Sequence, residues 1–126
     1  MHDVTGMPSF REPFPILYVD DVPRSIRFYT ESLGFEVSYR WPEEGETVFA
    51  FLRLEPSGIA VSRRGPEHQG RDFELCLYTD DVDGAADQLR GVAADEVQAP
   101  QDEPWGERRT YFRDPDGHLV HIAQTL

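Results

Sequence analysis

The chain has 126 residues, 39% of them hydrophobic and 12% aromatic, which fits one domain with its own core and leaves little room for two. Its 24 acidic residues outnumber 12 cationic ones, a formal charge of -12; such a field excludes nucleic acid and anionic membranes as natural partners and favours cationic small molecules. All the cations are arginine and neither lysine nor asparagine occurs, so Schiff-base lysine chemistry, the P-loop and N-glycosylation are excluded as well.

The N-terminus lacks a basic start followed by an apolar stretch, and no run of about 18 apolar residues exists, so a cytoplasmic protein without span or signal peptide is expected. Residues 14–19 read as a short apolar strand. Asp20-Asp21 then offers a helix cap, with Pro23 in the first turn where its missing N–H costs nothing. Ile26, Tyr29 and Leu33 form one helical face that stops at Gly34, a natural left-handed terminator. A strand over 35–41 follows, then two longer strands joined by Glu55-Pro56-Ser57-Gly58, the chemistry of a tight reversal.

After a polar connector over 63–72 the pattern begins again. A strand over 73–79 contains the single cysteine, Cys76, which reads as a buried thiol and leaves no disulfide framework or cysteine-based zinc cluster. Asp80-Asp81 precedes a weaker helix with Ala85, Ala86 and Leu89 before Gly91, and with Gly84 inside it. A short strand over 96–98 and two strands joined by Asp114-Pro115-Asp116-Gly117 complete the chain. The repetition is explicit, because Leu17-Tyr18-Val19-Asp20-Asp21-Val22 returns 60 positions later as Leu77-Tyr78-Thr79-Asp80-Asp81-Val82. Glu36-Val37 likewise returns as Glu96-Val97, and Phe51-Leu52-Arg53 as Tyr111-Phe112-Arg113. The expectation is a βαβββ unit present twice, over about residues 14–64 and 73–124 of a single α+β domain spanning 1–126, with the first dozen residues loosely held.

A tandem βαβββ pair with Val19-Asp20-Asp21-Val22, Ser25, Phe28-Tyr29, Leu33-Gly34-Phe35 and a closing Asp114-Pro115-Asp116-Gly117 resembles the vicinal oxygen chelate superfamily. That group includes glyoxalase I, extradiol dioxygenases, fosfomycin resistance enzymes and bleomycin resistance proteins. The resemblance implies two modules forming a curled mixed-sheet cup, and a homodimer in which module one of one chain faces module two of the other. Metal enzymes of the group take four ligands from the first and last strands of the modules. The matching positions here are Phe14, Ala60, Glu74 and His121, and only the last two carry donor atoms. A metal-dependent glyoxalase or dioxygenase using a divalent ion at Glu74 and His121 is thus the alternative reading. The same two residues could equally hydrogen-bond each other as a structural pair, or do metal-free acid–base work.

Glu103-Pro104-Trp105-Gly106, with Arg108 and the closing Asp-Pro-Asp-Gly, resembles the bleomycin resistance proteins within that group, which sequester a drug without metal. By that resemblance Trp105 and Tyr39 would flank a planar ligand by offset stacking, and the acids Glu43, Glu44 and Glu46 lie close by in sequence. The implied crevice is lined by Phe14, Tyr39, Trp41, Phe49, Phe51, Ala60, Trp105 and Tyr111, with Glu74, Arg109 and His121 as polar anchors. From the residues alone, Trp41, Phe49 and Phe51 are equally suited to a core, because Phe49 and Phe51 alternate as in a half-buried strand, and Tyr18 and Tyr78 read as covers for the helices. Trp105, in a polar loop, suits a ligand or dimer contact better than a core; His118, His68 and His2 read as surface residues. The expected function is non-catalytic sequestration of a planar aromatic antibiotic or natural product conferring self-resistance, with no cofactor, a small-molecule ligand, and a homodimeric assembly.

Overall fold

Apolar residues recurring at alternate positions and two aspartate-capped helices build the same unit twice. The first copy runs β1 (Ile16–Val19), α1 (Val22–Arg27), β2 (Glu36–Trp41), β3 (Phe49–Leu54) and β4 (Ser57–Arg63). The second runs β5 (Glu74–Tyr78), α2 (Val82–Leu89), β6 (Asp95–Glu103), β7 (Glu107–Arg113) and β8 (Leu119–Thr125). The computed structural model describes residues 12, 14–66, 73–93 and 95–126; the expectations for residues 1–11, including His2, and for His68 within the connector over 67–72 lie outside the described residues. Each copy forms its own open four-stranded mixed sheet, ordered β1-β4-β3-β2 and β5-β8-β7-β6. The parallel pair in each is the first strand with the last, set by Ile16 opposite Ala60 and by Cys76 opposite His121.

The helices start as the sequence predicts. Asp21 accepts from the Arg24 amide and Asp81 from the Gly84 amide, both at 3.0 Å, caps of the kind worth about 1 kcal/mol each. A Cβ at Gly84 would press on the end of the Asp81 side chain as it is placed here, whereas Arg24 carries a Cβ at the matching position of α1 with its cap closed at the same distance. Helix α1 passes into a π-helical turn, Phe28–Ser32, and the chain leaves it through Gly34 at φ +81°.

One cluster of buried side chains holds the two copies together. It joins Leu17, Val19, Leu52 and Val61 of the first sheet and Phe112, Val120 and Ile122 of the second to Ile26, Tyr29, Val82, Ala86 and Leu89 of the helical segments. Burying residues of this size contributes about 1.5–3 kcal/mol apiece, which makes the shared core the dominant cohesive force.

The second hairpin turn adds a polar clamp between the copies. Asp116 accepts from the Asp20 amide at 3.1 Å, from Arg24 Nη2 at 2.9 Å and from the Ser25 hydroxyl, while Tyr29 donates its hydroxyl to Asp114 Oδ2 at 2.8 Å. His118 completes it and is 3% exposed, not on the surface: its backbone amide donates to Asp114 Oδ1 at 2.7 Å and its Nδ1 lies 3.0 Å from Asp114 Oδ2. The reason is the turn's own geometry, which folds a histidine just after Gly117 back over the aspartate that opens the turn.

Two strand expectations change. β6 spans nine residues, not three, because its pairing with β7 carries it through two irregularities, one on each side of Gln98. Pro100 falls in the second, at the sheet edge, where a missing N–H is tolerated. The hairpins also differ by one residue: Arg53 pairs with Gly58, whereas Arg113 pairs with Leu119.

Candidate functional site

With one side of each sheet turned to the helices, the alternate side chains cover the opposite face. In module one, Phe51 lies opposite both Tyr39 and Ala60, and Phe49 opposite Trp41 and Ser62. Phe14, just before β1, meets Phe51 edge to face at 4.9 Å and 84°, and Tyr39 meets Phe49 at 6.2 Å and 68°. These four aromatics line a cavity of about 450 Å³ together with Glu12, Arg53, Pro56, Ser57 and Gly58. Gly58 is required there, because a Cβ would come within 2.7 Å of the Phe51 ring and of the Leu52 carbonyl. Trp41 stands beyond that lining, half exposed at 55%, and Ala60 lies fully buried beneath Phe51. Arg53 was legible as a lining residue from its alternation with Phe49 and Phe51; Glu12 and Pro56 carried no such signal.

Module two presents different chemistry at matching places. Tyr111 stacks on His121 at 4.5 Å and 29°, and the two are direct partners across β7 and β8. Arg109 Nη1 lies 3.2 Å from His121 Nδ1, and its guanidinium also sits 5.5 Å from the centre of the Trp105 ring. Glu107, which the sequence reading did not single out, ties this face together by accepting from Trp105 Nε1 at 2.7 Å and from Arg109 Nε at 2.9 Å. Hydrogen bonds from Trp105, Tyr78 and Arg109 hold the Glu107 carboxyl below its usual value. Hydrogen bonding to Tyr111 and Glu107 raises Arg109 above its usual value against the opposing pull of burial. Glu74 Oε2 is 3.4 Å from His121 Nε2. Gly106, at φ +92°, turns the loop that leaves Trp105 58% exposed.

Three further expectations are corrected on these faces. Cys76 is exposed on the module-two face, since it alternates with the core-facing Leu75 and Leu77. Burial of the thiol nonetheless pushes it up, with Arg109 pulling it down and Glu107 adding to the rise, so it gains no nucleophilic character. Tyr18 and Tyr78 do not cover helices, because they alternate with residues whose side chains do.

The donor set does not fit a resident divalent metal. Of the four positions implied by the resemblance, Phe14 and Ala60 offer nothing, and among the described residues no group of three or more His, Cys, Asp or Glu side chains could hold an ion. The remaining pair, Glu74 and His121, has the Arg109 cation in contact with the imidazole.

The profile of the Glyoxalase/Bleomycin resistance protein/Dioxygenase superfamily matches residues 11–122. The chain belongs to this superfamily. Among relatives of this superfamily member, the uncharacterized protein YraH of Bacillus subtilis is 31% identical over 121 residues, covering 87% of this chain and 94% of YraH. Of solved structures, TnmS3, described as an antibiotic binding protein from Streptomyces sp. CB03234, is similar with a TM-score of 0.75 and 27% identity over 95% of this chain and 99% of that one. TioX from Micromonospora sp. ML1 is similar with a TM-score of 0.73 and 25% identity over 92% and 97%. No helix among the described residues is long and apolar enough to cross a membrane.

Proposed function

We propose that this superfamily member sequesters a planar aromatic antibiotic or related natural product, without turnover, conferring self-resistance in the cytoplasm. The observation that carries the reading is the module-one cavity of about 450 Å³, within the range of small-molecule sites and walled by four aromatic rings. The likeness to an antibiotic binding protein at 27% identity supports the same conclusion. The second aromatic surface, Trp105, lies on the module-two face, 58% exposed, as Tyr39 is 53% exposed on the first. A homodimer that apposes module one of one protomer to module two of its partner would bring one ring to each side of a flat ligand. The net charge of -12 favours a cationic or neutral ligand over an anionic one.

Tryptophan-fluorescence titration with bleomycin-type, enediyne and quinone antibiotics tests the proposal, with and without chelator. Saturable quenching by one class, indifferent to chelator and with the compound recovered unchanged, is the expected result. Tyr39→Ala and Trp105→Ala should each weaken binding about tenfold or more, since about 1.4 kcal/mol corresponds to tenfold and a stacked ring supplies that much with its buried area. Unchanged affinity in both variants overturns it. Sedimentation velocity checks the dimer, which should persist at micromolar concentration.

A further inference from the structure

Among the buried side-chain polar atoms of the described residues, one has no hydrogen-bond partner. It is His121 Nε2, shielded from solvent, with Glu74 Oε2 at 3.4 Å close enough to attract it but not hydrogen-bonded to it. An unmatched buried polar atom carries a desolvation cost of about 1–3 kcal/mol, so its place in a ligand-facing sheet points to a partner that arrives from outside.

The other ring nitrogen identifies that partner. Arg109 Nη1 lies 3.2 Å from His121 Nδ1. A guanidinium carries donors and no acceptor, so Nδ1 must accept, and the ring proton must then reside on Nε2. Arg109 is itself held in place by Glu107 at 2.9 Å, and Tyr111 stacked on the imidazole fixes the plane in which the N–H points.

We infer that Arg109 locks His121 as its Nε2–H tautomer, and that this N–H, once the largely exposed Glu74 side chain swings off it, is the docking donor for a neutral carbonyl oxygen of the ligand. The ligand half of this inference rests on the sequestration reading; the tautomer half does not. An anionic oxygen is disfavoured because the Glu74 carboxylate stands beside the donor. The same lock takes His121 out of two other roles. A metal ion or a proton acquired at Nε2 needs a lone pair there, and with Nδ1 already accepting from Arg109 that would require an imidazolate. Arg109 is therefore a positioning residue that decides what kind of ligand atom the second face accepts.

The test uses the full chain labelled with nitrogen-15. Two-bond proton–nitrogen correlation spectra distinguish protonated from unprotonated imidazole nitrogens, and the His121 signals are assigned by their loss in His121→Gln. Expected near neutral pH are a protonated Nε2 and an unprotonated Nδ1, with Arg109→Met shifting the ring toward a tautomer mixture and Arg109→Lys restoring the wild-type pattern in part. A proton on Nδ1 in the wild type overturns the lock, as does stoichiometric cobalt(II) binding that disappears in His121→Gln. For the ligand half the probes are 9-fluorenone, planar with a neutral carbonyl, and fluorene-9-carboxylate. Fluorenone should shift the Nε2–H proton resonance and the carboxylate should not; no shift with fluorenone, or equal shifts with both, overturns the carbonyl assignment. Because the tautomer is read with no antibiotic present, its failure and the failure of antibiotic binding are separate results.

Discussion

The two modules share a core and differ on their open faces. Toward the helices, Leu17 is matched by Leu77, Val22 by Val82 and Leu52 by Phe112, apolar for apolar. Toward the open side, Phe14 is matched by Glu74, Ile16 by Cys76 and Phe49 by Arg109. One face is an aromatic cavity and the other a network of charge and hydrogen bonds around Arg109. The repeat preserves what the fold needs for cohesion, while the open sheet faces are where the two halves diverge in chemistry.

Breaking the aromatic half should have the largest effect. Removing Phe14 and Phe51 together deletes the edge-to-face pair at the cavity wall, and affinity for the ligand identified by fluorescence should fall about a hundredfold or more, measured by calorimetric titration. Breaking the shared half comes next. Tyr29→Phe removes a buried hydroxyl from a carboxylate at 2.8 Å and should cost about 1.5–3 kcal/mol in urea unfolding, with ligand affinity of the folded protein little changed. Gly58→Ala presses a methyl group on the Phe51 ring and should cost about 1–3 kcal/mol while also weakening ligand binding, which separates it from Tyr29→Phe.

A pH series sharpens the same contrast. Burial raises the Asp114 carboxyl, but His118, by hydrogen bonding and charge, together with the Tyr29 hydroxyl outweighs burial and holds it below its ordinary value. A folded value below the unfolded one means that the stabilisation is present above about pH 4 and is lost as pH falls through the folded value. Asp114→Asn should therefore be less stable than wild type at neutral pH, with the gap narrowing under acid in thermal unfolding followed by circular dichroism.

Local features of the fold were legible because they are written in adjacent residues. Asp21 and Asp81 cap their helices, Gly34 and Gly91 take positive φ, and Pro104-Trp105-Gly106 exposes its tryptophan. On the module-one face, the alternation of Phe49 and Phe51 fixed which rings point together, though not that Trp41 would stand outside the cavity lining. The misses were contacts across long stretches of chain. Nothing near His118 shows that its turn will dock onto Tyr29 and Ser25, and nothing in Ala99-Pro100-Gln101 shows that edge pairing will extend β6. Glu107 escaped notice because an acid next to two arginines reads as ordinary surface charge until Trp105 is seen donating to it.

The extra residue in the second hairpin has a practical consequence for anyone engineering this scaffold. Transferring a change from module one to module two by adding 60 works through the third strand of each copy and fails in the fourth. Ala60 then maps to Val120, a fully buried core residue, while the true counterpart across the parallel pair is His121. A donor group copied by counting would be buried in the hydrophobic interior; shifted by one position, the same graft lands on the open face beside Arg109 and Tyr111.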